Sequence, residues 1–537
     1  MRPDSFELAL TATVAAGLGL AATRVVPLLS KFARHTLWCM AALAILPVAL
    51  RLALLPRAPV PIPATADDTS YVLLAGTLAH FRLANPPHAF HRFFETNFVI
   101  QEPTYSSIFP IGPAIPMALT KLIFGHPWPG VLLAESLFCA LCYWMLRGWV
   151  SPGWALAGGV LAVCEFGPLS YWMNSYWGGA VSGIAGCLLF GAIPRRSWTL
   201  AGIGLGIQLL SRPFEFVLLT IAAVAFWISA KHWRGLWKTG IGLAPATLLL
   251  LLHNHAVTGK WTTLPYQLSR AQYGSPTTFT FQMNPKPSRE LSQEQSDNYD
   301  AQSAVHERES RKPFFKRLAD RRSWVRFFVL PPLYMALAGF VLALSDLQMK
   351  LALGSVAVFA LGTNFYPYFY PHYAAAVACV FLLMVVIGLD RIGRLSPRAA
   401  VVIFVLAVAH FGFWYGLHLG ASDQTLAAML PYETSDYINR GDPEGRAAIL
   451  KQLNQAPGRQ LVFVRFAPQH PLREWIGNEA DIDKSRIVWA LDRGRTEDAI
   501  LRKYYQDRRT WLLEPDDHPP RLTPYPELPV LHFEEVR

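Results

Sequence analysis

Two adjacent carboxylates, Asp67 and Asp68, follow a long apolar segment that ends near Leu55. A carboxylate costs free energy near hydrocarbon, so an acidic pair beside a membrane segment is expected to serve a function. Two neighbouring acids also raise the pKa of one of them, which prepares that carboxyl to act as a base near neutral pH. A structural alternative is that Asp67 and Asp68 cap a surface helix beginning at Thr69, since Asp is favoured at helix N-termini.

A lone carboxylate base suits the attack of a hydroxyl on the anomeric carbon of a sugar carried by a lipid phosphate. The base removes the hydroxyl proton, and the phosphodiester leaves as a stable anion without a strong general acid. Cationic or N–H groups must then face the phosphate. Arg212 is the first candidate, because its guanidinium suits phosphate and it interrupts an apolar stretch. The alternatives for Arg212 are an ion pair with Glu215 or a snorkelling side chain.

Other polar and aromatic residues between the apolar segments extend this candidate site. Glu102 could orient the acceptor or assist the base, or it could be a solvated loop acid. Trp177 could stack on a sugar ring, or it could belong to an aromatic belt at the membrane interface. The same two readings apply to its neighbours Tyr171, Trp172 and Tyr176.

A metal-binding alternative rests on the spacing of two histidines. His88 and His91 are three residues apart and lie beside Glu95, which could hold a metal ion if this segment were helical. Two prolines directly before His88 favour a loop instead. The sequence shows no certain cofactor, and a divalent metal ion stays an open alternative.

The composition indicates a multi-pass membrane protein. Of the 537 residues, 52% are hydrophobic and only 16% are charged, and the mean hydropathy is +0.26. The net charge of +11 lies largely in short turns, where Lys and Arg set membrane topology, and no basic stripe indicates a nucleic-acid partner. All six cysteines fall in apolar segments, which argues against a disulfide framework or a zinc site.

Apolar segments of about 20 residues predict about twelve membrane crossings. The first, Leu8 to Leu29, is interpreted as an uncleaved helix, because the residues before it are not net basic. Positive turns place the loop from Pro56 to Phe109 outside the cytoplasm. Ile111 to Phe124 is predicted to be a helix on the outer surface. Trp198 to Ala230 is predicted to form two short helices that meet outside near Arg212.

The predicted fold is an all-α polytopic membrane protein with a small C-terminal α/β domain outside the membrane. Residues 1–420 form the membrane part, with outer loops at 56–109 and 258–324, and residues 421–537 alternate helix and strand patterns. The piece from Asn284 to Arg311 is polar enough to be mobile without ligand. The expected location is the cell (cytoplasmic or inner) membrane, with the active site and the C-terminal domain extracytoplasmic.

The acidic pair followed by Tyr71 in a first outer loop resembles the GT-C glycosyltransferase superfamily, integral membrane enzymes that use polyprenyl-phosphate sugars. Further segments are similar to bacterial membrane proteins of this type: Asp67–Leu83, Gln101–Ser107 with Pro110-Ile111-Gly112, and Ser170–Gly179. The resemblance covers most of the chain, including its tail from Arg459 to Pro515.

This resemblance implies roles for individual residues. Asp67 matches the catalytic base and Asp68 the second acid, a position where Glu is common. His372, in the aromatic run from Tyr366 to Tyr373, matches a His-Tyr at the start of a late helix and could bind phosphate or sugar, although an aromatic interface belt is the alternative. Ile108 stands where relatives tend to carry Lys, so another cation must face the phosphate. The implied substrate-binding residues are Tyr71, Glu102, Tyr105, Trp177, Arg212 and His372.

The sequence therefore predicts a glycosyltransferase that moves a hexosyl or pentosyl group from a polyprenyl-phosphate donor to a lipid, glycan or protein acceptor, with inversion and with membrane lipid around it. The main alternative is a transporter or flippase of lipid-linked glycans. A transporter is expected to show matched halves with acids near the middle of the membrane. The acids here cluster at one face, and no matched halves are evident. A scaffold acting through its C-terminal module is a third alternative.

Overall fold

The structure is a computed structural model, and it describes residues 30–229, 235–433, 442, 445–468, 470 and 473–526. The first predicted membrane segment, Leu8 to Leu29, lies outside the described residues. The described part is mainly helical, with a small sheet near the C-terminus.

Five described helices are long and apolar enough to cross a membrane: Thr36–Ala53, Trp128–Leu146, Leu236–Thr258, Pro371–Leu395 and Pro397–Gly420. The pair Phe314–Phe328 and Pro331–Ala343, bent by 105°, makes a sixth if it is one broken span. Shorter apolar helices are Ala114–Phe124, Pro152–Phe166, Ala180–Arg195, Trp198–Ser211, Pro213–Ser229 and Leu347–Thr363. The chain is thus a multi-pass membrane protein, although helix length does not confirm about twelve crossings.

The predicted break at Arg212 is confirmed. One helix ends at Ser211, the next begins at Pro213, and Arg212 between them has an extended backbone (φ −152°, ψ 92°). Proline lacks the N–H that would continue the first helix, and it fits the first position of a new one. The chain therefore turns at Arg212 and places this residue between the ends of two apolar helices.

The first loop contains the helix Ala66–Ala79, called here the Asp67 helix, and a small antiparallel pair, β1 (Val99–Ile100) and β2 (Ser106–Ser107). A helix, Ala114–Phe124, occupies most of the segment Ile111 to Phe124 for which a helix was predicted. A short 3-10 turn, His91–Phe94, covers the loop between the Asp67 helix and β1.

The polar segment 258–324 is more ordered than its composition predicts. It contains the helices Pro265–Tyr273, Gln293–Arg311 and Phe314–Asp320. The helix Gln293–Arg311, called here the loop helix, corrects the expectation of a mobile piece from Asn284 to Arg311. Its N-terminus is closed by a capping box at Ser292, and its polar residues are buried along one face rather than solvated.

The C-terminal residues form the predicted α/β module. Its sheet has the strand order β4-β3-β5-β6, in which β3, β4 and β5 are parallel and β6 is antiparallel. The elements are Arg446–Gln455, β3 (Arg459–Val464), β4 (Ile487–Leu491), Arg495–Tyr504, β5 (Arg508–Glu514) and β6 (Arg521–Pro524). The alternation of helices and strands agrees with the sequence pattern, and β6 adds an antiparallel edge strand to it.

The module packs against the first loop through the residues between β3 and β4. The amide of Glu474 donates to Ala64 O at 3.1 Å, and Arg82 Nη2 donates to Asp481 Oδ1 at 2.8 Å. Lys121 pairs with Glu479. These contacts connect the module to both ends of the Asp67 helix, and they bring Glu474 close to the start of that helix.

Candidate active site

A cavity of about 610 Å³ lies where the Asp67 helix, the Arg212 break and the loop helix meet. Its chemically active lining residues are Asp67, Tyr71, Asn97, Trp177, Arg212, Glu215, His253, Asn254, Tyr266, Arg270, Glu294, Asn298, Gln302, Tyr366, Tyr370, His372, Tyr373, Arg473 and Glu474. The apolar helices, the loops 56–109 and 258–324, and the C-terminal module all contribute to this wall. Helix ends that the charge-based topology places on one face therefore surround one cavity.

Asp67 occupies the first turn of its helix, and its carboxyl lines the cavity. Burial raises the pKa of Asp67 to about 7, the charge of Asp68 adds to the rise, and the charge of Arg212 opposes it. A carboxyl with a pKa near 7 is partly ionised at neutral pH and can take a proton efficiently. The position of Asp67 therefore suits the predicted base.

Asp68 has a different position, since it does not line the cavity and is fully buried. Its carboxylate accepts hydrogen bonds from Tyr176 N at 2.9 Å and from Thr65 Oγ1 at 2.8 Å. The amide of Asp68 donates back to Thr65 Oγ1, which completes a capping box for a helix that begins at Ala66, earlier than predicted. Asp68 thus takes part in capping the helix, whereas Asp67 is not part of the capping box and lines the cavity.

Arg212 lines the cavity with a side chain that is only 18% exposed. Its guanidinium lies over the Tyr373 ring, 5.0 Å from the centroid, and 3.7 Å separates Nη1 from Glu215 Oε1. The pair with Glu215 is too long for a good hydrogen bond. Arg212 therefore forms a loose ion pair with Glu215 and is also a cation in the cavity wall.

The Pro110–Gly112 segment packs closely against the helix break at Arg212, and this close packing explains why residue 112 is a glycine. Gly112 N donates to Leu210 O at 2.8 Å, and a Cβ at Gly112 would come within 2.6 Å of Ser211 Oγ. Only glycine permits this close backbone approach. The contact places Pro110 and Ile108 in the cavity wall beside Arg212. Ile108 offers no charge there, so the cations at this end are arginines.

His372 lies in the cavity wall and contacts Tyr171. The Tyr171 hydroxyl accepts from His372 N at 3.1 Å and lies 2.9 Å from Nδ1. The direction of the Tyr171–Nδ1 hydrogen bond depends on which ring nitrogen of His372 carries the proton. Trp177 packs edge-on to His372 at 5.1 Å, and its Nε1 has no hydrogen-bond partner among the described residues.

The aromatic run from Tyr366 to Tyr373 therefore contributes to a cavity rather than only to an interface belt. Tyr366, Tyr370 and Tyr373 join His372 in the lining. Tyr71 also lines the cavity, where its ring stacks on Phe109 with centroids 4.5 Å apart. Of the eight predicted site residues, the cavity brings together five: Asp67, Tyr71, Trp177, Arg212 and His372.

Glu102 and Tyr105 lie outside this cavity. Glu102 is at a separate surface cleft, 3.5 Å from Arg289 Nη2 and 3.7 Å from His91 Nε2. Tyr105 is buried, and its hydroxyl donates to Asn478 O at 3.2 Å in the C-terminal module. The structure thus places Tyr105 at a contact between domains and gives Glu102 ion-pair partners away from Asp67.

The histidines of the first loop also have separate partners. His88 contacts Asp483 of the module at 3.1 Å, whereas Glu95 pairs with Arg289 at 3.2 Å. Within the part of the chain that the structure describes, no three His, Cys, Asp or Glu side chains lie together so that they could hold a metal ion. The metal alternative at His88, His91 and Glu95 therefore finds no support in their geometry.

The sequence analysis did not identify several polar residues of the cavity wall: Glu215 as a lining residue, His253, Asn254, Tyr266, Arg270, Glu294, Asn298, Gln302, Arg473 and Glu474. The sequence contained a signal for one group of these residues. Glu294, Asn298 and Gln302 recur every fourth residue, which places them on one face of a helix. His253 and Glu474 carried no local signal, because their position depends on contacts distant in sequence.

No family model matches this sequence, and no curated protein matches it. Among solved structures, the chain is similar to ArnT from Cupriavidus metallidurans, in the apo state (12% identity, TM-score 0.45) and bound to undecaprenyl phosphate (11% identity, TM-score 0.47). Each match covers 88% of this chain and 92% of that chain. The chain is also similar to the archaeal oligosaccharyltransferase AglB from Archaeoglobus fulgidus in complex with an inhibitory peptide and a dolichol-phosphate (13% identity, TM-score 0.41), over 89% of this chain and 69% of that chain. All three TM-scores lie below 0.5.

Proposed function

We propose that this protein is an integral membrane glycosyltransferase that moves a sugar from a polyprenyl-phosphate donor to a hydroxyl of an extracytoplasmic lipid, glycan or protein. The observation that carries the proposal is that Asp67 and Arg212 face one cavity. One is a carboxyl whose pKa burial raises to about 7, and the other is a guanidinium at a helix break. A base and a phosphate-binding cation are the two groups that this reaction needs.

Two arginines, Arg212 and Arg270, line the part of the cavity that is called here the phosphate end. Arg212 lies over Tyr373, and Arg270 donates to Pro276 O at 3.0 Å and to Thr277 O at 3.2 Å. These contacts hold each side chain in place while the guanidinium still lines the cavity. Arginine forms charge-assisted hydrogen bonds with phosphate oxygens, which stabilise the charge that develops on the leaving group.

The surroundings of this end suit a lipid chain. Leu250 lines the cavity from the apolar helix Leu236–Thr258, and Pro110, Phe109 and Ile108 line it from the first loop. An apolar helix end beside two arginines matches a molecule whose phosphate adjoins a hydrocarbon chain. Such a lipid could remain in the membrane while its sugar enters the cavity.

The reaction follows from these positions. Asp67 accepts the proton of the acceptor hydroxyl, and the oxygen attacks the anomeric carbon of the donor sugar. The bond from that carbon to the phosphate oxygen breaks, and its electron pair leaves with the phosphate, which Arg212 and Arg270 face. A direct displacement of this kind inverts the anomeric centre.

The test is sugar transfer by D67N in membranes supplied with a labelled polyprenyl-phosphate sugar. Asn keeps the size of the side chain but cannot take the proton, so transfer is expected to fall about 100-fold or more. Asp300, an exposed acid on the loop helix, supplies the matched control D300N, which is expected to transfer normally. Parent-like transfer by D67N would contradict the proposal. Movement of the lipid-linked sugar across the membrane without transfer in the parent would favour the transporter instead.

A further inference from the structure

Glu294 and Glu474 bring two buried carboxyl groups to the wall of the same cavity. Glu294 lies in the first turn of the loop helix and is 6% exposed, and Glu474 belongs to the C-terminal module and is 1% exposed. The two side chains lie close enough for the charge of Glu474 to raise the pKa of Glu294. The charge of Arg446 acts on Glu474 and lowers its pKa. Such a pair is costly to bury, so it needs an explanation.

The two carboxyls differ in the donors they receive. Glu474 Oε1 accepts from Ile476 N at 2.9 Å, and Glu474 Oε2 accepts from Asn97 N at 3.4 Å. Glu294 Oε1 accepts from Asn97 Nδ2 at 3.3 Å. Glu294 Oε2 is buried, and no described residue donates a hydrogen bond to it. One carboxyl oxygen at this wall therefore lacks a donor from the protein, and its neighbour Glu474 is itself an acid.

A row of amides fixes Glu294 in this position. Gln302 Nε2 donates to Asn298 Oδ1 at 3.0 Å, and Asn298 Nδ2 donates to Asn97 Oδ1 at 2.8 Å. Asn97 in turn donates to Glu294, so each amide presents its NH₂ group toward the carboxyl. Oriented amide dipoles strengthen one another in a region of low dielectric. The row holds Glu294 rigidly and aligns its donors with only one of the two carboxyl oxygens.

The charges around this wall differ from those around Asp67, although Arg446 acts on Glu474 and Arg473 also lines the cavity. The charged residues that act on Asp67 are Asp68 and Arg212, whereas those that act on Glu294 are Glu474 and Asp297. The carboxyl oxygen of Glu294 that has no partner among the described residues is an acceptor, so it suits a group that donates a hydrogen bond and not a phosphate oxygen. The ligand of the acidic wall must instead present hydrogen-bond donors. A metal ion is disfavoured, since no group of three acid, His or Cys side chains occurs in the described residues.

We propose that Glu294, Glu474 and Asn97 form a saccharide subsite that accepts hydrogen bonds from hydroxyl groups of a neutral sugar. Carboxyl and amide side chains together can accept and donate the hydrogen bonds that sugar hydroxyls make. The subsite rests on the proposed function for its place in the reaction, since the sugar is either the one carried by the donor or part of the acceptor. It also assigns a role to the C-terminal module, which supplies Glu474.

The experiment uses the full-length protein in lipid nanodiscs. Saturation-transfer NMR measures binding of methyl glucoside, methyl mannoside and methyl arabinoside, in the presence and absence of undecaprenyl phosphate. The parent is expected to bind at least one of them. E294Q is expected to weaken that binding about tenfold, since it replaces the accepting carboxyl at unchanged size. The matched control is E290Q, four residues earlier, where Glu290 is 81% exposed and pairs with Arg92.

Two further measurements distinguish whether the bound sugar belongs to the donor or to the acceptor. Affinity is measured for undecaprenyl phosphate and for glucosyl undecaprenyl phosphate. If E294Q removes the gain in affinity that the attached sugar gives, the subsite holds the donor sugar. If E294Q leaves that gain intact but loses the methyl glycosides, the subsite holds the acceptor. Either result supports the subsite, and undecaprenyl phosphate alone is expected to bind both proteins equally.

Two results would overturn the subsite: parent-like glycoside binding by E294Q, or no binding of any of the three glycosides to the parent. E474Q is a second variant, secondary because two backbone amides donate to that carboxyl. The proposed function is judged separately by D67N. Transfer can fail in D67N while glycoside binding persists, and glycoside binding can fail in E294Q while the Asp67 result stands.

Discussion

Thr65 and Asp68 are joined by reciprocal hydrogen bonds that orient Asp67 between them. Thr65 Oγ1 donates to Asp68 Oδ2 at 2.8 Å, and Asp68 N donates to Thr65 Oγ1 at 3.2 Å. This capping box starts the helix at Ala66 and directs successive side chains about 100° apart. Asp68 consequently lies in the protein interior, and Asp67 lies in the cavity wall. The two acids therefore need different variants and different measurements.

Replacing Asp68 is expected to affect stability before chemistry. D68A leaves Tyr176 N and Thr65 N without the carboxylate that they share, which costs about 1–3 kcal/mol of unfolding free energy. Thermal unfolding of the purified protein measures this loss. D67N is expected to keep the parent's melting temperature, because its carboxyl faces the cavity. A parent-like melting temperature for D68A would show that the capping box does not stabilise the Asp67 helix.

Part of this arrangement was predictable from the sequence. Charge-based topology put Asp67, Arg212, Trp177 and His372 on one face, and all four line the cavity. The break at Arg212 followed from a proline within an apolar stretch, and alternating helix and strand patterns identified the C-terminal module. Thr65 three residues before Asp68 was also a readable cap signal, although the predicted helix began at Thr69.

The rest depended on contacts that no local pattern contains. Glu102 and Tyr105 are close in sequence between β1 and β2, yet one faces a surface cleft and the other faces the module. Their directions are set by the β1–β2 pairing and by Asn478, far along the chain. Glu474 lines the cavity because its amide bonds to Ala64. The loop helix is polar in composition, so its buried face could not be distinguished from a solvated one.

The pH dependence of transfer is expected to follow the ionisation of Asp67. Burial and Asp68 raise the pKa of Asp67 to about 7, against the effect of Arg212. The base is the ionised form, so below pH 7 the rate is expected to rise about tenfold per pH unit and then level off. The phenols of Tyr71 and Tyr266 interact with this carboxyl, and burial raises the pKa of both, so they are neutral in this range. The measurement is kcat/KM from pH 5 to 9.

The control for this profile is E290Q, whose midpoint is expected to match that of the parent because Glu290 lies outside the cavity. A rate that stays constant from pH 5 to 9 would remove Asp67 from the role of base. A rate that falls as pH rises through 7 would indicate a general acid, which this mechanism does not use.

Arg212 is expected to contribute to binding of the donor phosphate. R212Q should weaken binding of undecaprenyl phosphate about tenfold to 100-fold, the range of a charge-assisted hydrogen bond, and should leave undecaprenol binding unchanged. Fluorescence titration of the purified protein with both lipids measures this difference. The matched control is R308Q, since the side chain of Arg308 is 66% exposed on the loop helix.

A second variant separates binding from folding at this position. R212Q leaves the buried Glu215 carboxyl without its cation, whereas R212Q/E215Q removes both charges. The double variant is expected to recover stability but not phosphate affinity. Equal affinity of R212Q/E215Q and the parent for undecaprenyl phosphate would assign Arg212 to structure alone and leave Arg270 as the phosphate-binding cation.

The carboxyl pair Glu294 and Glu474 is expected to reduce stability at high pH. Burial raises the pKa of Glu294 well above its ordinary value of 4.5, and the charges of Glu474 and Asp297 add to the rise. A folded-state pKa above the unfolded value means that the stabilising effect of the proton is complete below about pH 4.5 and is lost as pH rises through the folded-state pKa. E294Q cannot lose this proton, and its amide can donate to Glu474.

E294Q is therefore expected to be more stable than the parent at pH 8, by roughly 1–3 kcal/mol of unfolding free energy, and to melt at a higher temperature there. At pH 5 its melting temperature is expected to approach that of the parent. E290Q should follow the parent at both values. Because the same substitution is expected to weaken glycoside binding, a gain in stability with a loss of binding would identify the pair as a site maintained for function. A lower melting temperature for E294Q at pH 8 would instead mean that the ionised carboxyl stabilises the contact between the loop helix and the module.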